Sequence, residues 1–151
     1  MADPFAVLLD FINRNYVILD AQKDVDLNAA AEESAAAIEE EKQRIVTDAV
    51  ERAESLQTPF RSGLVLAFEA QGTGRPEIRL DDRDPQQNAI ADALITFLVP
   101  FDLADSRSEE TEPGHYDYYL SVKWDPLYRV AEDAGVDLPA ALAQVASIPG
   151  G

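Results

Sequence analysis

The sequence predicts an α+β fold in which a long N-terminal helical region precedes a small three-stranded sheet with helices on one face. The helical region is indicated by the absence of Gly and Pro between Phe5 and Gln57. The sheet is indicated by short apolar or alternating segments that follow, the clearest at 116–124. We therefore divide the chain into a helical region, 1–58, and an α+β domain, 59–151, which together form one compact unit.

The first helix has a clear start and an unusually apolar surface. Asp3 suits the N-cap and Pro4 the first helical position. Apolar residues recur at helical spacing, namely Phe5, Leu8, Leu9, Ile12, Tyr16 and Leu19. Val7, Phe11 and Ile18 extend the apolar surface around the helix, and such a helix is normally covered. The cover is supplied either by the chain's own domain or by a neighbouring chain. We hypothesise that another subunit covers the helix, with Phe5, Leu8, Leu9, Ile12 and Tyr16 as interface residues.

A second amphipathic helix is predicted from Asp26 to Gln57, where Ala, Glu, Gln and Arg predominate. Its apolar face carries Leu27, Ala31, Ala35, Ile38, Lys42, Ile45, Ala49, Ala53 and Leu56. The missing leucine seam argues against a stand-alone coiled coil. The sequence leaves open whether this helix continues the first, and Thr58-Pro59 ends it.

The predicted sheet consists of a β-hairpin and a third strand. Residues 63–70 form an apolar run of strand length, 72–74 supply a Gly-rich turn, and 77–80 alternate like a second strand. Alternation is strongest at 116–124, where Tyr119 is predicted to face outward. Because tyrosine is enriched at interface hot spots, we add Tyr119 to the candidate interface residues.

Four further segments complete the prediction. Asp84-Pro85 begins a helix that ends near Pro100. The stretch 105–114 contains no aliphatic or aromatic residue and predicts a mobile acidic loop. A short helix begins at Asp125-Pro126, and a last helix covers Leu138 to Ser147.

The charge balance predicts a salty working solvent. The chain carries 29 acidic and 12 basic residues, a formal net charge of −17. Repulsion between like charges opposes folding, and salt screens it over a Debye length of ~10 Å at 0.1 M but only ~3 Å at 1 M. Abundant acids and few lysines resemble the composition of halophilic proteomes, although an ordinary acidic protein is the alternative.

Composition also excludes several partners and cofactors. A surface this acidic repels phosphate backbones, so we expect no direct nucleic-acid binding. The chain has no cysteine, hence no disulfide or thiolate metal site. The N-terminus lacks a basic signal region, and no apolar run is long enough to span a bilayer. We expect a cytoplasmic protein, or a virion component if the origin is viral, without cofactor.

The candidates for chemistry are acidic residues and one histidine. Asp81, Asp82 and Asp84 follow the second predicted strand, where carboxylates suit a hard cation. The spacing does not fit an EF-hand loop, and clusters arise by chance in a chain this acidic. His115 is the only histidine, and the sequence shows no nucleophile or orienting group to accompany it. We therefore assign no catalytic residue and no metal site, with Asp81 and Asp82 as the residual metal candidates.

These observations favour a non-enzymatic structural or adaptor subunit of a larger, homo- or hetero-oligomeric assembly adapted to high salt. A virion neck, tail or injection machine is one such assembly. The alternative is a stand-alone acidic regulator or inhibitor that mimics nucleic-acid charge and binds a basic protein. A second alternative is a metal-dependent enzyme that uses Asp81, Asp82 and His115.

Overall fold

The computed structural model describes residues 3–29 and 33–146, without the side chain of Ala146. Ala31 and Ser147, both predicted to be helical, lie outside these residues. The elements in chain order are α1 (Pro4–Ile12), a π-helical turn (Asn13–Val17), α2 (Ile18–Asn28), α3 (Ala35–Ser55), α4 (Gln57–Gly72), β1 (Ile78–Asp81), α5 (Pro85–Phe97), a 3₁₀ turn (Val99–Phe101), β2 (Ala104–Glu112), β3 (His115–Val122), α6 (Trp124–Asp133) and α7 (Leu138–Ala146).

The predicted α+β class and the three-stranded sheet are confirmed. The strands are antiparallel in the order β1-β3-β2, so that β3 is central. Both predicted aspartate caps are present. Asp3 Oδ1 accepts a hydrogen bond from the Phe5 N–H at 3.0 Å, and Asp84 Oδ1 accepts one from the Gln86 N–H at 2.9 Å. Each cap precedes a proline at the start of its helix, as the sequence indicates.

The prediction of a strand at 63–70 is wrong, because this segment lies inside helix α4. The buried residues of α4 recur at helical spacing: Phe60, Gly63, Leu64 and Ala67. A short, continuous apolar run cannot distinguish a buried strand from a buried helix by periodicity alone. The glycine-rich stretch that follows therefore ends a helix, with Gly74 at φ +83°, and does not join two strands.

The prediction of a mobile loop at 105–114 is also wrong, because residues 105–112 belong to strand β2. The hairpin of the sheet is formed by β2 and β3, with Gly114 at φ +84° in the turn. All residues of β2 except Ala104 are exposed, so that the strand carries no apolar pattern from which to predict it. Trp124, assigned by the sequence to the last strand, begins helix α6.

The N-terminal region contains two separate helical segments. The chain is helical from Pro4 to Asn28, interrupted only by the π-helical turn, and Ala29 then adopts an extended conformation. A new helix begins after Ser34, whose hydroxyl accepts a hydrogen bond from the Ala37 N–H at 3.1 Å. This answers the question of continuity that the sequence left open.

The hydrophobic core is built around α4, which packs against α5, α1 and α7 and also touches β1 and β3. Phe60 of α4 and Phe97 of α5 meet edge to face, with ring centroids 6.3 Å apart. The core draws residues from both the 1–58 and the 59–151 parts of the chain. Within the described residues, no helix is both long and apolar enough to cross a membrane.

The close approach of α4 and α5 predicts that Gly63→Ala destabilises the protein. A Cβ at this position would lie 2.9 Å from Leu94 Cδ1 and 3.0 Å from Ile90 Cγ2. Overpacking outweighs the gain in helix propensity, and we expect the free energy of unfolding to fall by about 1–2 kcal/mol in denaturant titrations. Gly72→Ala in the same helix is the control, because its Cβ would meet nothing within 4 Å and should leave stability unchanged or slightly higher.

Candidate functional site

The structure places four of the predicted interface residues in the protein's own core. Phe5, Leu8, Leu9 and Ile12 are only 0–3% exposed. Helices α4 and α7 pack against α1 and supply the cover that its apolar surface requires. These four side chains are therefore not accessible to another subunit in this fold. The sequence indicates that a helix face must be covered, but it does not identify the covering element.

Two further predicted interface residues have different surroundings. Tyr16 is partly buried and contacts Phe101, with ring centroids 5.5 Å apart. Tyr119 lies on the face of β3 opposite to the core-packed Leu120 and is half-buried. The guanidinium of Arg107 lies 4.0 Å from the centroid of the Tyr119 ring. Tyr119 is thus placed on the outer side of the sheet, while Tyr16 packs against the core.

Ion pairs tie the outer side of the sheet together. Arg107 of β2 contacts Glu77 at 3.2 Å and Glu109 at 2.9 Å. Arg83 joins Asp81 at the end of β1 to Glu112 at the end of β2, with distances of 3.1 and 3.0 Å. Exposed ion pairs of this kind contribute little individually. These two groups link the β1 side of the sheet to β2, across the central strand β3.

Strand β2 forms an open edge of the sheet. It pairs with β3 on one side, and no other described strand pairs with it on the other. Its side chains include four acids, Asp105, Glu109, Glu110 and Glu112, against the single base Arg107. Charged side chains are a usual protection of such edges against indiscriminate pairing. The result is an ordered, acidic strand whose outer backbone groups face away from the sheet.

The metal candidates are engaged in structural contacts. Asp81 accepts hydrogen bonds from the Arg83 guanidinium and backbone, which lower the pKa of its carboxyl. Asp82 Oδ2 accepts a hydrogen bond from the Tyr116 N–H at 3.1 Å, and its Oδ1 lies 3.4 Å from His115 Nδ1. Among residues 3–29 and 33–146, no group of three acidic or histidine side chains is placed to hold a metal ion.

A polar residue that the sequence analysis did not single out is buried beside a groove. Asn13 is 1% exposed and begins the π-helical turn. Its Nδ2 donates a hydrogen bond to the Ala49 carbonyl of α3 at 3.1 Å, and its Oδ1 has no hydrogen-bond partner in the described part of the chain. The groove has a volume of about 240 Å³ and is lined by Asn13, Val17, Ile45, Asp48, Ala49, Arg52, Thr96 and Phe97. The signal in the sequence is an amide four residues after Leu9, within an apolar stripe.

No protein-family model matches the chain, and no significant similarity to curated proteins or to solved structures is found.

Burial of α1 predicts that Leu8→Ala destabilises the isolated chain. Truncating a fully buried leucine should lower the free energy of unfolding by about 2–5 kcal/mol, measured by denaturant titration at several protein concentrations. Leu19→Ala is the control, because Leu19 is 49% exposed and its loss should change stability by no more than about 0.5 kcal/mol. An unchanged unfolding free energy combined with a smaller oligomeric mass would instead assign Leu8 to an intersubunit contact.

The Asp81–Arg83 pair predicts a pH dependence on the acid side. Arg83 lowers the pKa of the Asp81 carboxyl in the folded protein. The pair therefore stabilises the fold fully above about pH 4, the pKa of an aspartate in the unfolded chain. This stabilisation is lost as the pH falls through the lower pKa of Asp81 in the folded state. Asp81→Asn should therefore be less stable than the unmodified protein at neutral pH, with the difference vanishing near pH 2 in thermal melts. Asp20→Asn, which removes the same charge at an exposed position of α2, is the control variant.

Proposed function

We propose that the protein is a non-enzymatic structural or adaptor subunit of a larger protein assembly that works in concentrated salt. It contacts a neighbouring subunit through the open edge of β2. The observation that carries this proposal is a nine-residue edge strand of which every residue but Ala104 is exposed. A virion neck, tail or injection machine is the kind of assembly in which such a subunit serves.

The free edge supports recognition through the backbone. An extended segment of a partner that adds beside β2 acquires main-chain hydrogen bonds along the strand, while alternate side chains provide specificity. Tyr119 and the Arg107 stacked on it lie on the adjoining outer face of the sheet. Tyrosine and arginine, like tryptophan, are enriched among the residues that carry binding energy in interfaces. The edge and the outer face thus form one continuous contact surface.

The contact surface is ordered before any partner arrives. Ladder hydrogen bonds with β3 and the ion pairs of Arg107 and Arg83 fix the position of β2. Binding to a preformed strand loses less conformational entropy than binding to a mobile acidic loop. An exposed strand that remains ordered without a hydrophobic face is therefore well suited to repeated assembly.

The charge of the protein supports assembly in salt. Two chains that each carry a net charge of −17 repel one another in dilute buffer. Salt screens this repulsion, while backbone hydrogen bonds between strands depend little on ionic strength. Association with copies of the same chain, or with similarly acidic subunits, should therefore strengthen as the salt concentration rises.

The same acidic edge favours a second candidate, a stand-alone regulator or inhibitor of a basic protein. The excess of three negative charges on β2, four acids minus one base, complements a basic segment. Attraction between opposite charges weakens as salt rises, so this candidate predicts the opposite salt dependence. The sign of the salt effect distinguishes the two functions.

A salt titration is the primary experiment. The mass is measured by size-exclusion chromatography with light scattering between 0.1 and 3 M KCl. We expect it to rise above the monomer mass of 16.6 kDa as the salt concentration increases. The added mass comes either from further copies of the chain or from a subunit that co-purifies in molar salt. A monomer at every salt concentration, with no co-purifying subunit, would contradict the proposal. Binding to a basic protein that disappears above about 0.5 M KCl would favour the regulator instead.

Two adjacent proline variants test the edge itself. In an antiparallel ladder the backbone groups of successive residues point alternately toward and away from the paired strand. Of Ser108→Pro and Glu109→Pro, one removes an outward N–H and should leave the hairpin folded, while the other breaks the ladder with β3. Circular dichroism identifies the folded variant, and that variant should lose assembly. If the folded variant assembles as fully as the unmodified protein, the β2 edge is not the contact between subunits.

A further inference from the structure

The side-chain amide of Asn13 makes a hydrogen bond through its nitrogen but none through its oxygen within the described residues. The hydrogen bond from Nδ2 to the Ala49 carbonyl fixes the orientation of the amide, because exchanging the two ends would place an oxygen against an oxygen. Oδ1 then has no hydrogen-bond donor within residues 3–29 and 33–146, although it is buried. An unpaired buried acceptor is destabilising and readily accepts a donor that reaches it.

The π-helical turn gives a second, independent indication of a site. Residues 13–17 form this turn between two α-helices, in a stretch that contains neither proline nor glycine to account for it. Single π-helical turns within α-helices occur frequently at functional sites, where the local change in helix geometry repositions side chains. Here the turn begins at Asn13 and ends at Val17, both of which line the groove.

The walls of the groove define the chemistry of a ligand. Val17, Ile45 and Phe97 supply an apolar wall. The guanidinium of Arg52 already donates hydrogen bonds to the Asp92 carboxylate at 2.9 Å and to the Thr96 hydroxyl at 3.1 Å. The other charged group in the lining is the carboxylate of Asp48, and no described ion pair joins it to a cation. The groove thus offers an acceptor oxygen, a carboxylate and an apolar wall. A ligand that fits all three has a positively charged hydrogen-bond donor attached to an aliphatic chain.

We propose that this groove binds a small alkylammonium ion, whose head donates to Asn13 Oδ1 and neutralises Asp48 while its chain contacts Val17 and Ile45. The volume of about 240 Å³ lies below the usual range for drug-sized ligands and suits a few heavy atoms. Because Oδ1 is itself buried, binding requires a movement of side chains that line the groove. This site is independent of the β2 edge and of the assembly proposed above.

The direct test is a titration of the full-length protein with n-butylammonium chloride at constant ionic strength, followed by two-dimensional amide NMR. We expect saturable shifts of the Asn13 side-chain amide and of the backbone N–H groups near Ala49, with a dissociation constant of roughly 1–10 mM. 1-Butanol, which lacks the charge, and butanoate, which reverses it, should each bind at least roughly tenfold more weakly. Absence of saturable shifts in the groove, or equal binding of 1-butanol, would overturn the proposal and leave the groove a site for water only.

Three variants separate a binding role from a structural one. Asn13→Leu should bind n-butylammonium at least roughly tenfold more weakly, since it removes the acceptor. Asp48→Asn lies at an exposed position, so the fold tolerates it, and it should weaken binding several-fold even if Asn13→Leu does not fold. Asp133→Asn at the end of α6 removes the same charge outside the groove lining and should leave affinity unchanged. Equal affinity of the Asp48→Asn and Asp133→Asn variants would overturn the assignment.

Discussion

The close packing of α4 against α5 sets the arrangement of the other elements around the core. Gly63 permits it, because a side chain there would collide with Leu94 and Ile90. Once α4 is a buried central helix, its other sides are available to cover α1 and α7 and to meet β1 and β3. The buried face of α1 is thereby covered within the chain.

Negative charge governs the remaining surface. Arginines lie beside clustered acids. Arg83 and Arg107 each form ion pairs with carboxylates across the sheet. Strand β2 remains a strand without a hydrophobic face because its backbone is paired with β3 along its length, and the ion pairs add weak contacts at its surface. On the outer side of the sheet, arginines thus offset part of the negative charge that opposes compaction of the chain. The proposed contact with other subunits lies on this side.

Two features of the structure are not explained by stability alone. An open strand edge exposes backbone groups to other chains, and a buried amide oxygen without a donor is destabilising. Departures from local consistency of this kind are expected at functional positions. They occur at separate places, the hairpin and the junction of the π-helical turn with α3 and α5, and they support different proposals, one for a protein contact and one for a small ligand.

Local spacing, capping and composition are sufficient to predict the α+β class, the aspartate–proline starts of α1 and α5, the position of β3 and the acidic character of the chain. Tertiary structure decided the identity of α4, the existence of β2, the cover of α1 and the pairing of Asn13 with Ala49. A continuous apolar run is ambiguous between helix and strand until its neighbours are known, and a polar edge strand exists only through its ladder with β3. A periodic pattern states which face must be buried, but the element that buries it is chosen by long-range packing.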